Sequence, residues 1–138
     1  MRKKINCILL IDDDKSTNFL HKIIIEETGV SEKVEAVQSG QEALDYLERK
    51  KEGVYPKPDL IFLDINMPGM NGWEFLKEYE KLDDNLKGEI MIMMLTTSIN
   101  PDDEEKAKKT KFINGFLNKP LTTGVIEKII DDHFQNKE

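Results

Sequence analysis

Apolar runs alternate with amphipathic segments along the whole chain, and this alternation limits the fold more than any other feature of the sequence. The apolar runs lie at residues 5–11, 34–37, 60–63, 90–95 and 113–117. Most are apolar at nearly every position, as expected for parallel strands that are covered on both faces. The segments between them space their apolar residues as helices do. The sequence therefore predicts an α/β fold, a doubly wound sheet of five parallel strands with five helices on both faces.

The first helical segment, residues 16–28, shows this spacing. Its apolar residues at helical positions are Phe19, Leu20, Ile23 and Ile24. Gly29 follows as a helix stop. The pattern predicts an amphipathic helix with these four residues on its apolar face.

Capping residues mark the starts of later helices. The predicted caps are Ser39, Asn100, and Thr122 or Thr123. The helix that follows Asn100 carries acids at 102–105 and then lysines, with Ala107 as almost its only apolar residue. Because this helix has little to bury, we expect weak packing and freedom to move or to meet a partner.

Length and charge narrow the class of protein. The chain has 138 residues, the usual size of one domain, and we expect a single domain over residues 4–134 with flexible termini at 1–3 and 135–138. No apolar run approaches the roughly 20 residues of a membrane span. The net charge of −7 opposes direct binding to nucleic acid or to an anionic membrane. The single cysteine, Cys7, excludes an intrachain disulfide and fits a cytoplasmic location.

Polar residues follow four of the predicted strands. Asp12, Asp13 and Asp14 come after the first strand, Asp64 after the third, Thr96 after the fourth and Lys119 after the fifth. The carboxyl ends of parallel strands share one edge of the sheet, and ligands bind there. These side chains are therefore expected to converge.

Converging carboxylates repel one another, and a hard divalent cation compensates for that repulsion. Mg²⁺ takes oxygen ligands and leaves positions for phosphate oxygens. Lys119 would also neutralise an incoming phosphoryl group, and the hydroxyl of Thr96 could donate to one of its oxygens. An aspartate beside the metal is a plausible nucleophile, because carboxylates accept phosphoryl groups in aspartyl-phosphate chemistry.

Four segments together resemble the signature segments of response regulator receiver domains. They are Leu9–Asp14 (LLIDDD), Leu63–Gly72 (LDINMPGMNG), Leu95–Ser98 (LTTS) and Asn118–Pro120 (NKP). The likeness spans residues 4 to about 134 and is specific, because residue type, order, spacing and strand-end position agree at once. The resemblance implies the flavodoxin-like strand order 2-1-3-4-5 and a cis bond between Lys119 and Pro120.

The resemblance also implies the residue roles. Asp64 would be the phospho-acceptor, Asp12 and Asp13 the other metal-site acids, and Asn66 a metal ligand through its backbone carbonyl. Lys119 would contact the phosphoryl oxygens. Asp14 would be a neighbour without direct contact.

Other roles implied by the resemblance concern switching and lifetime. Thr96 would be the switch hydroxyl and Phe116 the switch aromatic, whose ring turns inward after phosphorylation. Asn66 and Ser98 would line the approach of the hydrolytic water and tune the phosphoryl lifetime. The output surface would be formed by the fourth helix, the fifth strand and the fifth helix.

The chain departs from the family pattern in three places. Asn71 stands where many members carry aspartate, and Phe116 lacks the hydroxyl that a tyrosine would offer. The loop from Glu48 to Pro58 is longer than usual, which we interpret as a neutral surface insertion. His21 and His133 have no companions at metal-ligand or catalytic-triad spacing, and we predict both at the surface or at its boundary.

Two other functions compete with the switch. A phosphohydrolase of the haloacid-dehalogenase type also uses a strand-end aspartate with Mg²⁺, but it needs a general acid two residues later, where this chain has Asn66. A pseudo-receiver would keep the fold for binding alone, although all the chemical positions are filled. For the switch, the expected partners are a histidine kinase, a hybrid kinase or a phosphotransfer protein, and an unknown downstream protein. Met1 directly before the first strand favours a single-domain regulator or a phosphorelay intermediate over an excised part of a hybrid kinase.

Overall fold

A computed structural model of the chain describes residues 4–87, 90–97, 100–110 and 113–134, with the side chains of residues 85 and 87 excepted. The termini that we predicted to be flexible, 1–3 and 135–138, lie outside the described residues. Ser98 also lies outside them.

Five parallel strands form one sheet. They are β1 (Ile5–Ile11), β2 (Ser31–Val37), β3 (Leu60–Asp64), β4 (Met91–Thr96) and β5 (Ile113–Asn118). The order across the sheet is β2-β1-β3-β4-β5. The predicted strand number, direction and order are confirmed.

The strands alternate with five main helices. They are α1 (Lys15–Thr28), α2 (Gly40–Glu48), α3 (Gly72–Glu80), α4 (Pro101–Lys109) and α5 (Thr123–His133). A further single helical turn, Asp84–Lys87, lies between α3 and β4 and was not predicted. Within the described residues, no helix has the length and apolar character that a membrane crossing requires.

The side chains of the central strands point alternately to the two faces of the sheet. Ile8 and Leu10 of β1 pack with residues of α1 and α5, whereas Leu9 and Ile11 pack with residues of α2 and α3. This alternation gives two cores, one on each face. It explains why the strands are apolar at nearly every position, because neither face of β1 is open to water.

Helix α1 packs in a different orientation from the predicted one. Phe19 is 68% exposed, Leu20 46% and Ile23 38%, while the buried residues of α1 are Asn18, His21 and Ile25. Of the four residues predicted on the apolar face of α1, Ile24 is partly buried against the core, but the placement of Phe19, Leu20 and Ile23 is wrong. The prediction of a surface position for His21 is wrong as well, since His21 is 1% exposed.

Hydrogen bonds explain why α1 buries polar residues. The Asn18 Nδ2 atom donates to the backbone oxygens of Asp12 at 2.9 Å and Val37 at 3.0 Å. His21 Nε2 accepts from the backbone N–H of Leu121 at 3.1 Å. These bonds replace bonds to water for Asn18 Nδ2 and His21 Nε2, whereas the buried Asn18 Oδ1 atom has no hydrogen-bond partner among the described residues.

The predicted caps are present at three helices. Ser39 accepts from Glu42 N, Asn100 from Asp102 N and Thr122 from Val125 N. Asn71, which departs from the pattern of the resemblance, caps α3 in a reciprocal box with Glu74. An amide oxygen accepts the same bond as a carboxylate, so this departure leaves the start of α3 intact.

Helix α4 contacts α3 through Trp73. The Trp73 Nε1 atom donates to Asp103 Oδ1 at 3.1 Å, and the Lys106 ammonium lies 4.8 Å from the centre of the indole ring. Ala107 is the buried residue of α4. The sparse apolar packing was predicted, but the polar contact with Trp73 was not, because a sequence pattern does not pair residues 30 positions apart.

We expect Asp103→Ala to loosen α4. The loss of the bond from Trp73 should cost about 1 kcal/mol, so the amides of α4 should exchange roughly fivefold faster in native-state hydrogen exchange. Asp102→Ala is the matched control, because Asp102 is an exposed first-turn acid of the same helix whose side chain is not paired with Trp73. Equal acceleration in the two variants would show that the charge at the helix start matters, and not the bond to Trp73.

Candidate functional site

The candidate site lies at the carboxyl edge of the sheet, between β1 and β3. Asp12 follows the last residue of β1, and Asp64 is the last residue of β3. The strand order reverses at this point, because β2 lies on one side of β1 and β3 on the other. Such a reversal opens a crevice above the strand ends, which is where ligands bind in open α/β sheets.

Three carboxylates converge in this crevice. One carboxylate oxygen from each of Asp12, Asp13 and Asp64 lies within 4.8 Å of the other two. Asp12 and Asp64 are buried, and Asp13 is exposed. The donor set consists of oxygens only, which suits a hard cation such as Mg²⁺, and one open side leaves room for water or phosphate oxygens.

Lys119 lies against two of these acids. Its Nζ atom is 2.6 Å from Asp12 Oδ2 and 3.1 Å from Asp64 Oδ1. Burial alone lowers the pKa of Lys119, but its contacts with Asp12 and then Asp64 raise it above the ordinary value. Lys119 is therefore charged and holds one positive charge between two buried negative ones.

Asp64 has an altered acidity. Burial first, and the charge of Asp12 second, raise the pKa of Asp64 from 3.8 to about 6, against the lowering effect of Lys119 and of a backbone hydrogen bond from Asn66. Without a further cation, burial and the charge of Asp12 therefore disfavour the charged form of the Asp64 carboxylate. A perturbed carboxylate in a crevice is typical of a functional site.

The backbone around Lys119 brings the β4 and β5 ends together. The bond between Lys119 and Pro120 is cis, as the resemblance implied. Lys119 N donates to the backbone oxygen of Thr96 at 2.8 Å. Thr96, at the end of β4, is buried. Thr96 and Lys119 are therefore neighbours at the same edge as the acids.

Helix α3 begins directly against the Asp64 backbone. Gly72 N donates to Ile65 O at 2.8 Å, and a Cβ atom at residue 72 would lie 2.7 Å from the Asp64 carbonyl oxygen. That distance is shorter than real Cβ contacts allow. Glycine at this position therefore lets α3 pack close to the strand end that carries Asp64.

Among the remaining predicted residues, Asn66 adjoins the acids, because its backbone N–H donates to the Asp64 carboxylate. Asn66 is exposed in the loop after Asp64. Phe116 is half-buried on β5 and lines a cleft of about 250 Å³ with Ala107 of α4. Asp14 caps α1, accepting from Ser16 N and Thr17 N, and takes no part in the three-carboxylate cluster. Ser98 lies outside the described residues.

Sequence reasoning missed two residues that support this edge, Asn18 and His21. They are buried on the same face of α1 as Ile25, at spacings of three and four residues. That spacing was available in the sequence. It was overlooked because the prediction followed the apolar residues of α1, and three of these, Phe19, Leu20 and Ile23, are exposed.

Comparison with known families gives one match along most of the chain. A family model described as the response regulator receiver domain matches residues 8–131. The sequence is 29% identical over 125 residues to the probable methanogenesis regulatory protein FilR2 of Methanothrix harundinacea, covering 91% of this chain and 79% of that protein. It is 31% identical over 135 residues to the two-component response regulator ARR22 of Arabidopsis thaliana, covering 97% and 87%.

Solved structures give the same result. A two-component response regulator from Cytophaga hutchinsonii superposes with a TM-score of 0.82 at 32% identity, covering 94% of this chain and 97% of that one. A two-component response regulator from Legionella pneumophila has a TM-score of 0.74 at 33% identity, covering 94% and 97%. Both superpositions therefore cover nearly the whole chain.

Proposed function

This chain belongs to the family of response regulator receiver domains, the phosphorylation-dependent switches of two-component signalling, and we propose that its phospho-acceptor is Asp64. The observation that carries this proposal is the contact of one lysine with two acids of a three-carboxylate cluster at the strand ends. Among the described residues, Asp12, Asp13 and Asp64 form the one group of three or more acidic, histidine or cysteine side chains that could hold a metal ion.

Asp64 acts as a nucleophile in the proposed reaction. One of its carboxylate oxygens attacks the phosphorus of a phosphohistidine, a new P–O bond forms, and the P–N bond breaks as the imidazole leaves with the electron pair. Lys119 stabilises negative charge on the phosphoryl oxygens, since its ammonium already lies 3.1 Å from Asp64 Oδ1. Water later attacks the same phosphorus and restores the free carboxylate with release of inorganic phosphate.

We propose Asp12, Asp13, Asp64 and the backbone carbonyl of Asn66 as the residues that hold Mg²⁺. The three carboxylates fit such an ion by donor type and proximity. Bound Mg²⁺ supplies positive charge that lowers the repulsion between the acids and the incoming phosphoryl group.

Output is proposed to pass from the site to the surface of α4, β5 and α5. Thr96 lies at the end of β4, where its backbone oxygen accepts from Lys119 N, and its hydroxyl is the proposed donor to a phosphoryl oxygen. Phe116 lies on β5, in a cleft against α4. A shift of Thr96 toward the phosphoryl group would leave room for the Phe116 ring and bias α4 between two populated positions.

The proposed phosphoryl donor is a histidine kinase, a hybrid kinase or a phosphotransfer protein, acting in the cytoplasm on a single receiver domain of residues 4–134. We propose that it docks on α1. The exposed apolar residues of that helix are Phe19, Leu20 and Ile23, and α1 begins two residues after Asp13. An exposed apolar patch beside a reactive site is typical of a partner-binding surface.

The competing functions have weaker support. A phosphohydrolase of the haloacid-dehalogenase type needs a second acid two residues after the nucleophile, and Asn66 cannot act as a general acid. A pseudo-receiver would not require this cluster of two buried acids and a lysine, because burying the three charges costs desolvation that apolar residues of similar volume would avoid.

Intact-mass measurement tests the proposal. After incubation with acetyl phosphate and Mg²⁺, the protein should gain the mass of one phosphoryl group, and the gain should disappear with a metal chelator. Peptide mapping should place the group on Asp64, and its decay in Asn66→Ala should differ from that in the wild type if Asn66 tunes the lifetime. Absence of any added mass would contradict the switch, and sustained release from a chromogenic phosphate ester would favour the phosphohydrolase.

Comparison of two donors tests the docking surface in the same assay. Phe19→Ser should slow transfer from a phosphorylated histidine-containing protein about tenfold, because truncation of a central apolar contact weakens protein association by 1 kcal/mol or more. The small donor acetyl phosphate does not need that surface, so its labelling rate should stay unchanged. Equal slowing with both donors would exclude α1 as the docking surface.

A further inference from the structure

His21 is buried in α1 and has a partner on a distant part of the chain. Its Nε2 atom accepts the backbone N–H of Leu121 at 3.1 Å, across 100 residues of sequence. The imidazole is 1% exposed, and the Leu121 side chain packs in the same core as Ile25 of α1. The bond therefore joins α1 to the segment that follows β5.

That segment carries the lysine of the acid site. Lys119, Pro120 and Leu121 are consecutive, and proline has no N–H to donate. The two amide donors of this tripeptide are Lys119 N, which donates to Thr96 O at 2.8 Å, and Leu121 N, which donates to His21. His21 thus accepts one of the two backbone hydrogen bonds that fix the position of Lys119.

Helix α1 also contacts the loop that carries Asp12, the acid that pairs with Lys119. Asn18, one turn before His21, donates to the backbone oxygen of Asp12 at 2.9 Å. The Lys119 ammonium lies 2.6 Å from Asp12 Oδ2. One helix face therefore anchors both the loop that carries the acid and the loop that carries the lysine.

We propose that His21 is a positioning residue, which acts through the Leu121 amide to hold the Lys119 ammonium between Asp12 and Asp64. This inference rests on the proposed function, in which Lys119 stabilises the transferred phosphoryl group. It assigns a functional role to a histidine that neither binds metal nor touches the reacting atoms.

The chemistry of the ring fits this role. An Nε2 atom that accepts a hydrogen bond carries no proton, so the neutral ring is protonated on Nδ1. Burial is the largest influence on His21 and lowers its pKa, although the charge of Asp12 opposes this. The neutral ring is therefore favoured, and with it the acceptor that Leu121 N requires.

A matched pair of variants tests the proposal. Glutamine and methionine have similar length, but glutamine offers an acceptor and methionine does not. His21→Met should slow labelling by acetyl phosphate about tenfold, since misplacement of a catalytic group by 1 Å can cost up to ~100-fold. His21→Gln should restore most of the rate. Ile25→Val, a core substitution on the same face of α1, should leave the rate unchanged.

Epistasis separates positioning from a general structural effect. In a Lys119→Met background, His21→Met should have little further effect on the rate, because its influence passes through Lys119. The same tenfold loss in both backgrounds, or a methionine variant as fast as the wild type, would overturn the proposal.

A second readout does not depend on phosphorylation. The amide of Leu121 should exchange with solvent about fivefold faster in His21→Met than in His21→Gln, as expected from the loss of one hydrogen bond. If wild-type labelling fails while this difference is present, the proposed function is wrong but the tether to α1 is real. Unchanged exchange at Leu121 would refute the tether itself.

Discussion

Asp64→Asn is expected to abolish phosphoryl incorporation and, without Mg²⁺ at neutral pH, to raise the free energy of unfolding by roughly 2–3 kcal/mol. The first effect follows from the loss of the nucleophilic oxygen. The second follows from the raised pKa of Asp64, which burial and the neighbouring Asp12 bring to about 6. The charged form of Asp64, which the proposed reaction needs, therefore lowers the free energy of unfolding.

The direction of the pKa shift determines how the stability gain of Asp64→Asn depends on pH. The folded protein binds the Asp64 proton more tightly than the unfolded chain, whose carboxyl has the ordinary pKa of 3.8. As the pH rises from below 3.8 to above about 6, the unfolded chain loses this proton first, so the free energy of unfolding falls. Asparagine does not titrate. The gain in free energy of unfolding in Asp64→Asn should therefore be small at pH 4 and reach its full value above pH 6.

Urea unfolding at a series of pH values, paired with intact-mass measurement, checks both effects. Asp45→Asn is the control, because Asp45 is exposed on α2 and its hydrogen bond from Gln41 can be kept by an amide. That variant should take up phosphate normally and change stability by less than about 0.5 kcal/mol at any pH. A stability gain in Asp64→Asn that is the same at pH 4 and pH 7 would contradict the acidity assigned to Asp64.

The sequence predicted the sheet and the site because both depend on strong local signals. Strands that are covered on both faces must be apolar throughout, and Ile8 to Ile11 are buried to 1% exposure or less. The position of Asp12, Asp64, Thr96 and Lys119 then follows from parallel topology alone, because every strand of such a sheet ends at the same edge. No knowledge of side-chain packing was needed for this step.

The orientation of α1 could not be predicted in the same way. Phe19, Leu20 and Ile23 have the apolar character of a core face, yet they are exposed, and the buried stripe includes two polar residues. Which face packs depends on whether Asn18 and His21 find partners, and those partners lie in other loops. Hydropathy measures the cost of burying a polar group but not the hydrogen bonds that offset it.

The loop after α2 was predicted, but the antiparallel turn inside it was not, for a related reason. Residues Lys51 and Val54 pair as a small antiparallel bridge, with hydrogen bonds of 2.8 and 3.0 Å in the two directions. The turn places Glu52 and Gly53 at positive φ, the conformation that usually selects Asn-Gly or Asp-Gly. Because glutamate occupies the first of these positions, the sequence lacks the residue pair that would have predicted the turn.

The second large effect is expected from Lys119→Met, which removes the charge and keeps most of the length of the side chain. Without Mg²⁺, the free energy of unfolding should fall by about 3 kcal/mol, because removing one partner of a buried ion pair leaves the other charge uncompensated. Lys119 is 11% exposed and contacts acids that are 4% and 5% exposed, so water screens these charges poorly. The labelling rate should fall about 100-fold or more, as for the loss of one preorganised donor in other active sites.

The response of this variant to Mg²⁺ separates the two roles of the lysine. Lys119 and a divalent cation both neutralise Asp12 and Asp64, so removal of the ammonium should tighten Mg²⁺ binding by about fivefold while labelling stays slow. Thermal unfolding over a series of Mg²⁺ concentrations measures that affinity, because stabilisation grows with the logarithm of ligand concentration above the dissociation constant. Slow labelling at saturating Mg²⁺ would show that added metal does not replace the proposed action of Lys119 on the phosphoryl group.

Lys128→Met is the matched control for this experiment. Lys128 also pairs with an aspartate, Asp132, at 3.3 Å, but the two side chains are 78% and 51% exposed. Its loss should change stability by less than about 0.5 kcal/mol and should not affect labelling or Mg²⁺ affinity. If Lys119→Met behaved like this surface variant, the ammonium between Asp12 and Asp64 would be an ordinary ion pair, and the chemistry assigned to this edge of the sheet would have no basis.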